Sequence, residues 1–523
     1  MLACSSPAPA PTPAPTGTTA IATATPGGPT PRLVVLFVID QLPAWAFEAK
    51  RGALTGGFER ALREGEWHRG QYPHGATVTA PGHALLGSGE PPARSGILAN
   101  EWWHRDVERA LASVEDVDGS PTARWLRVPA LGDAVAASRR GGKAVAVSLK
   151  DRGAILALGH AGLPIWYDKA KPGWTTTAKP PPAWLGELDR AHPISAHLAE
   201  VWTPLDAGKL ARLSGATDAE KGEIGVKGFG PTFPHELAKT AGPADAVFAA
   251  PLGNQLVLET ALAAIAGEQL GADDVADLLV VSLSAHDYVG HGWGHESWEA
   301  WDMMLRLDQQ LGAFLGELDK RVGANRWAMI ITSDHGASPM PERMQGGRIT
   351  VDSIKDAANR AAITELGPGD WIAAAKYPSV YLTAKAAATP DKDKPVLLKK
   401  IVYALRSFPG IAKAEVTAQF AGHCETRSGD AAAACLTLDP EASGEVFFAP
   451  ARGWIIESVT ERNATAHGSF NDYDRIVPVI VLATGRKPHA ALPTPDDTVV
   501  DIAQISTTLA RWLGVTPPLQ MPR

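Results

Sequence analysis

Arg32-Leu33-Val34-Val35-Leu36-Phe37-Val38-Ile39-Asp40 is a near-continuous apolar run that stops at a carboxylate. A run of this kind reads as a strand buried on both faces, as in a parallel sheet. The same pattern returns at Lys143 to Ser148, at Asp277 to Leu283, at Trp327 to Thr332 and at Arg475 to Val481. Pro478 in the last of these suggests an edge strand or a strand start. Helical periodicity lies between the runs, for example over Ala300 to Leu318 and Val500 to Leu513. Strands alternating with helices predict an α/β fold with a doubly wound, mostly parallel sheet. In such sheets ligands bind beyond the carboxyl ends of the strands. Four of the five runs lead into polar residues there: Asp40, Lys150, Asp287 and Asp334.

Two long stretches interrupt the alternation. The first, about 155–265, is rich in Pro, Trp and Gly; the second covers about 340–460. Within the second, Ser379 to Thr383, a helix near 393–407 and Ala414 to Thr417 predict a small α+β insert. Residues 1–31 have no hydrophobic periodicity and read as a disordered Pro/Ala-rich tether. The expected organisation is therefore a tether followed by one large domain, 32–523, carrying two insertions that build cleft walls.

Composition narrows the class. The 523 residues are 45% apolar and 20% charged, as in ordinary globular proteins. A formal net charge of −8 argues against a nucleic-acid-binding surface. No apolar run reaches the roughly 18 residues a membrane-spanning helix needs. There are three cysteines. Cys424 and Cys435 either close a small loop or stay as two thiols. Leu2-Ala3-Cys4 resembles the end of a bacterial lipoprotein signal, which implies lipidation of Cys4 and an exported, membrane-tethered chain in the periplasm or outside the cell.

The chemistry collects at the strand ends. Asp40 ends the first strand, and Asp287-Tyr288-Val289-Gly290-His291 sets a carboxylate and an imidazole four residues apart. Asp334-His335-Gly336 follows another strand, and His467-Gly468-Ser469 precedes the last. Three Asp and three His make two mixed three-ligand sites, a donor set that suits catalytic zinc. Two metals about 4 Å apart can clamp both the attacking and the leaving oxygen of a phosphoryl transfer. His286 and His295 read as outer supports or structural residues; His83, His104 and His160 read as structural. A hydroxyl at a helix start, in Gly75-Ala76-Thr77-Val78-Thr79-Ala80-Pro81-Gly82-His83, supplies a nucleophile. Thr79, immediately before the Ala-Pro-Gly turn, is preferred over Thr77.

Taken together these motifs resemble the alkaline phosphatase superfamily, and most of all its phosphate-irrepressible, Thr-nucleophile monoesterases. Thr79 to His83 is similar to the nucleophile segment, Asn100 to the phosphate-binding Asn, and Lys150 with Arg152 to the basic pair that contacts the phosphoryl oxygens. The resemblance implies one zinc on Asp287, His291 and His467 and another on Asp40, Asp334 and His335, with other divalent ions able to substitute. It spans roughly residues 32–515 and implies hydrolysis of small-molecule phosphate monoesters through a phospho-threonine. No protein partner is expected.

The main alternative is the nucleotide pyrophosphatase/phosphodiesterase branch, which is similar in its Thr and Asn; the Lys150-x-Arg152 pair is not typical of it. A non-catalytic phosphate-binding lipoprotein would be expected to lack Thr79 or a metal ligand. Sulfatases need a Cys or Ser and an Arg that Thr79-Ala80-Pro81-Gly82-His83 does not contain. A cofactor-independent phosphoglycerate mutase would use Ser.

Overall fold

The computed structural model describes residues 18–19, 28–458, 462–485 and 499–522; Cys4 and most of the expected tether lie outside the described residues. Ten strands form the central sheet. They are β1 (Thr18–Thr19), β2 (Leu33–Ile39), β3 (Glu66–Gln71), β4 (Ala144–Ser148), β5 (Leu163–Asp168), β6 (Gly173–Thr176), β7 (Asp277–Leu283), β8 (Trp327–Thr332), β9 (Ile476–Leu482) and β10 (Val499–Asp501). Their order across the sheet is β1-β10-β3-β9-β8-β2-β7-β4-β5-β6. Only β9 and the edge strand β6 run against the rest. The expected α/β class and mostly parallel sheet are what the chain adopts.

The side chains of β2 show why the sheet is covered on both faces. All seven are fully buried. Leu33, Val35, Phe37 and Ile39 join one apolar core with Leu256 and Val257 of the Pro251–Gly267 helix and Leu307 and Leu311 of the Trp298–Leu318 helix. Val34, Leu36 and Val38 join a second core with Leu85 of the Thr79–Ser88 helix, Leu158 of the Asp151–Leu158 helix and Leu509 of the Gln504–Leu513 helix. The two-residue period of a strand delivers alternate residues to opposite layers.

Three sequence expectations change. β9 is an internal strand rather than an edge, flanked by β3 and β8. Its pairing with β8 covers only Ile480 to Leu482, whereas Pro478 pairs with Arg69 of β3. Proline thus sits where the strand has one neighbour, so its missing N–H breaks no second ladder. Val500, expected to open the last helix, instead pairs with Gly70 in β10, and the helix starts at Gln504. The stretch 155–265 also contributes β5, β6 and a core helix to the central layers.

The stretch 340–460 holds a four-stranded antiparallel sheet, ordered Ile372–Lys376, Ser379–Leu382, Val446–Pro450, Ile411–Val416. Helices Val351–Leu366 and Lys394–Arg406 pack on it around a separate core that includes Ile354, Leu397, Ile401 and Phe448. Cys424 and Cys435 are joined in a disulfide. Tyr377 donates its hydroxyl to the Gly468 carbonyl at 2.5 Å, and Gly75 N–H donates to Thr437 Oγ1 at 3.0 Å. These two contacts dock the insert against the loops that carry His467 and Thr79. Among the described residues no helix is long and apolar enough to cross a membrane.

Candidate active site

Because β2, β4, β7 and β8 are parallel, Asp40, Lys150, Asp287, Asp334 and His335 all emerge at one edge of the sheet. The antiparallel β9 starts at that same edge, which is how His467, on the loop before it, arrives there. Ile476 pairs with Gln71, so the loop after β3 brings Thr79 to the same place.

Thr79 is buried at the first turn of the Thr79–Ser88 helix. Its Oγ1 lies 3.4 Å from His335 Nε2 and 3.4 Å from Lys150 Nζ. Thr77 Oγ1 is engaged elsewhere, donating to the Asp474 carbonyl at 2.9 Å. The Ala80 N–H donates to Asn100 Oδ1 at 2.8 Å, and Asn100 lines the cleft beside Thr79. Gly82 is required by close approach: a Cβ there would stand 2.1 Å from the Asp334 carbonyl oxygen.

Among the described residues the candidate metal donors fall into two groups that share Asp287. The ligand atoms of Asp287, His291 and His467 lie within 4.8 Å of one another, as do those of Asp40, Asp287 and His335. Asp334 joins the second group through Oδ2, 3.5 Å from His335 Nε2. Each imidazole is fixed through Nδ1, which donates to a main-chain carbonyl: His291 to Thr465 at 2.9 Å, His467 to Thr77 at 3.1 Å, His335 to Gly336 at 3.0 Å. Every Nε2 lone pair is thereby turned toward the carboxylates, the tautomer metal ligation needs. Burial, then the neighbouring His335 and His291, hold His467 well below the usual imidazole range, so it is neutral and able to ligate. Asp40 Oδ1 is buried with no hydrogen-bond partner, 3.5 Å from His335 Nε2. Buried carboxylate oxygens are ordinarily satisfied, and an orphaned one aimed at an imidazole that burial holds below its usual range fits a bound divalent cation.

Lys150 bridges the donor groups, with Nζ 2.7 Å from Asp40 Oδ2 and 2.7 Å from Asp287 Oδ2. Burial would lower this ammonium, but Asp287 and Asp40 outweigh it and hold it above its ordinary value. Arg152 lies half-buried on the first turn of the following helix, and its Nε has no partner. Thr79, Asn100, Arg152, Asp287, His291 and His467 line one cleft of about 540 Å³.

Several supporting residues were not legible as such. Gln41 donates from Nε2 to Asp287 Oδ1 at 2.6 Å and accepts from His295 Nε2 at 3.0 Å. His286 donates from Nδ1 to the Asp40 carbonyl at 2.8 Å, so both flanking histidines act as outer supports. His83, read as structural, is part of the site: its Nδ1 lies 2.9 Å from the Thr79 carbonyl and 3.2 Å from Asp334 Oδ2. His104 and His160 are elsewhere, the first stacked on Trp102 and the second hydrogen-bonded through Nδ1 to Asp133 Oδ2 at 3.1 Å. Adjacency to Asp40 was the sequence signal for Gln41, and its place in the Thr79 to His83 segment, four residues after Thr79, was the one for His83.

A threonine facing mixed Asp/His donor groups, at the carboxyl edge of a doubly wound sheet, defines a hydrolase site of the alkaline phosphatase type. The chain is 28% identical to the alkaline phosphatase PafA of Elizabethkingia meningoseptica over 88% of either chain. It is 34% identical to the alkaline phosphatase PhoV of Synechococcus elongatus over 61% of its own length and 62% of that protein. The solved structure of wild-type PafA superimposes with a TM-score of 0.84 at 27% identity, covering 94% of this chain and 97% of that one. The profile of the type I phosphodiesterase / nucleotide pyrophosphatase family matches residues 34–470, and the chain belongs to that family. It is a phosphoric ester hydrolase of the Thr-nucleophile branch of the alkaline phosphatase superfamily.

Proposed function

We propose that this chain is a two-zinc phosphomonoesterase in which Thr79 carries the phosphoryl group between two displacements. The observation that carries the reading is the position of Thr79 Oγ1, 3.4 Å from both His335 Nε2 and Lys150 Nζ, beside a cleft that also holds Asn100 and Arg152. Asp287, His291 and His467 would hold one zinc and Asp40, Asp334 and His335 the other, supplying Lewis-acid stabilisation of the attacking and leaving oxygens. Thr79 Oγ forms the new bond to phosphorus as the ester P–O bond breaks, and water then releases phosphate and restores the hydroxyl. Lys150, Arg152 and the Asn100 amide meet the non-bridging oxygens, whose charge must be held through the transition state. A monoester presents one more anionic oxygen than a diester, and the Lys150/Arg152 pair is the group that answers it. The names of PafA and PhoV support the same substrate class. An exported location belongs to this reading, because the Cys424–Cys435 bridge suits an oxidising compartment. Cell fractionation checks that point.

The deciding experiment compares kcat/KM for phenyl phosphate and methyl phenyl phosphate, with zinc and with a chelator, in the wild type and Thr79→Ala. The expected result is a strong monoester preference that chelation abolishes, with kcat falling about 10⁴-fold or more in Thr79→Ala while zinc still binds. A diester preference would move the chain to phosphodiester chemistry and leave Lys150 and Arg152 without their assigned role.

A further inference from the structure

The peptide unit that follows His467 is held at both of its polar ends by side chains outside the donor set. Its carbonyl, that of Gly468, accepts from the Tyr377 hydroxyl at 2.5 Å. Its N–H, that of Ser469, donates to Asp474 Oδ2 at 2.7 Å. Tyr377 belongs to the insert, on the turn between the strands Ile372–Lys376 and Ser379–Leu382. Asp474 lies on the short Asp472–Arg475 helix that leads into β9. Gly468 has a φ of 100°, backbone that favours glycine, and a Cβ there would stand 3.2 Å from both Tyr377 Cε1 and Val78 Cγ1. One peptide plane is therefore fixed between the insert and the central sheet, with His467 attached directly to it.

Asp474 reaches the same imidazole by a second route. Its main-chain carbonyl accepts from Thr77 Oγ1 at 2.9 Å and from the Gly336 N–H at 2.8 Å. Thr77 and Gly336 are the residues whose own carbonyls orient His467 and His335. The two rings stack with centroids 3.7 Å apart, and His467 Nε2 stands 3.7 Å from Asp287 Oδ1. A rotation of the Gly468–Ser469 peptide is thus carried straight to a donor atom. The Asp474 carboxyl is also costly where it lies. It is buried, burial pushes it up to about 7, and Oδ1 has no partner among the described residues. A half-satisfied buried carboxyl stabilises a fold poorly, so packing alone does not account for it.

We infer that Tyr377 and Asp474 are positioning residues that set the Gly468–Ser469 peptide, so that the insert controls how tightly a metal on Asp287, His291 and His467 is held. Both act through His467 rather than on the phosphoryl group. The inference rests on the two-zinc reading above.

The test competes the zinc-loaded full chain against a chromophoric chelator and records the visible spectrum of the cobalt-substituted protein. His467→Ala, which deletes the donor, marks the binding step that belongs to this site. Tyr377→Phe removes one hydroxyl and Asp474→Ala one carboxyl, whereas Asp474→Asn keeps an oxygen that can accept from Ser469. Tyr377→Phe and Asp474→Ala are expected to weaken the marked step about 10- to 100-fold and to leave the other step within about two-fold. Both should shift the cobalt spectrum, and Asp474→Asn should stay close to the wild type. At limiting zinc their kcat for phenyl phosphate should fall with KM unchanged, and added zinc should restore it. A folded Tyr377→Phe that binds zinc and cobalt as the wild type does overturns the inference, as does equal weakening of both steps. The expected loss of affinity in a chain that turns over no ester would remove the monoesterase and leave the positioning role standing. A wild type that holds fewer than two zinc ions removes the two-zinc reading and the positioning role together.

Discussion

Gln41 has a φ of 63°, directly after the candidate metal donor Asp40, and its side chain is clamped at both ends. Lys50 donates to the His295 carbonyl, His295 Nε2 donates to Gln41, and Gln41 donates to Asp287 Oδ1. Burial keeps His295 well below the usual imidazole range, so it is neutral, with one ring N–H to give. The chain of bonds therefore fixes the orientation of the Asp287 carboxylate, which both candidate donor groups share. Gln41→Leu removes both hydrogen bonds while keeping similar bulk. Supports of this kind are typically worth about 10- to 100-fold in metal affinity, and a loss of that size is expected in a zinc competition titration. Unchanged affinity would mean that Asp287 is held by its Lys150 contact alone. At this scale the six candidate metal donors were legible as a group, because each ends or follows a buried strand or leads into one, and the fold brings their side chains together.

Secondary elements were legible in proportion to their burial. β2, β7 and β8, with every residue buried, stand out as apolar runs. β6 does not, since all four of its residues are half-buried at the sheet edge. β10 is only three residues long and borders the last helix, so its valines read as part of that helix. The Trp298–Leu318 helix carries a further consequence. Its first turn buries Glu299 against His235 Nε2 at 2.9 Å, inside a ring of Trp202, Phe229, Phe233 and Trp293. Burial pushes the Glu299 carboxyl up to about 9 and the His235 imidazole down to about 4. At neutral pH both are uncharged, and the Glu299 hydroxyl donates to the imidazole. Folded Glu299 thus holds its proton more tightly than the unfolded chain, whose carboxyl titrates near 4.5. The Glu299 contribution to stability therefore falls as pH rises from there toward 9. The lowered His235 contributes in the opposite sense between about 4 and 6.5, so the net loss lies above that range. Glu299→Gln keeps a donor and cannot ionise. It should melt a few degrees above the wild type at pH 9 and at nearly the same temperature at pH 5, as calorimetry would read. An equal difference at both values would show that Glu299 does not titrate in this window.

On the scale of the whole molecule, the insert at 340–460 is a second small core leaning on the loop that carries the nucleophile. Its Gly429–Thr437 helix contains Cys435, and Ala433 and Thr437 of that helix both accept from the Gly75 N–H. The disulfide closes a loop with a sequence separation of 11, and a loop of that size contributes about 3 kcal/mol by restricting the unfolded chain. Cys424→Ser with Cys435→Ser is expected to lower the melting midpoint by several degrees. It should also lower kcat a few-fold as the Gly75 contacts loosen. A drop in stability with kcat intact would separate the insert from the chemistry.

The three imidazoles of the candidate metal site are all steered by peptide carbonyls, those of Thr465, Thr77 and Gly336. A carbonyl is present whatever amino acid occupies the position, so no single substitution deletes it. The orientation of these rings is inherited from chain path rather than from side-chain identity. Neighbouring positions can then drift through many substitutions while the rings keep their aim, which accounts for how a shared fold persists at 27% identity. It also means that this site is most vulnerable to insertions, deletions and prolines that reroute the backbone, and comparatively tolerant of exchanges that leave the path alone.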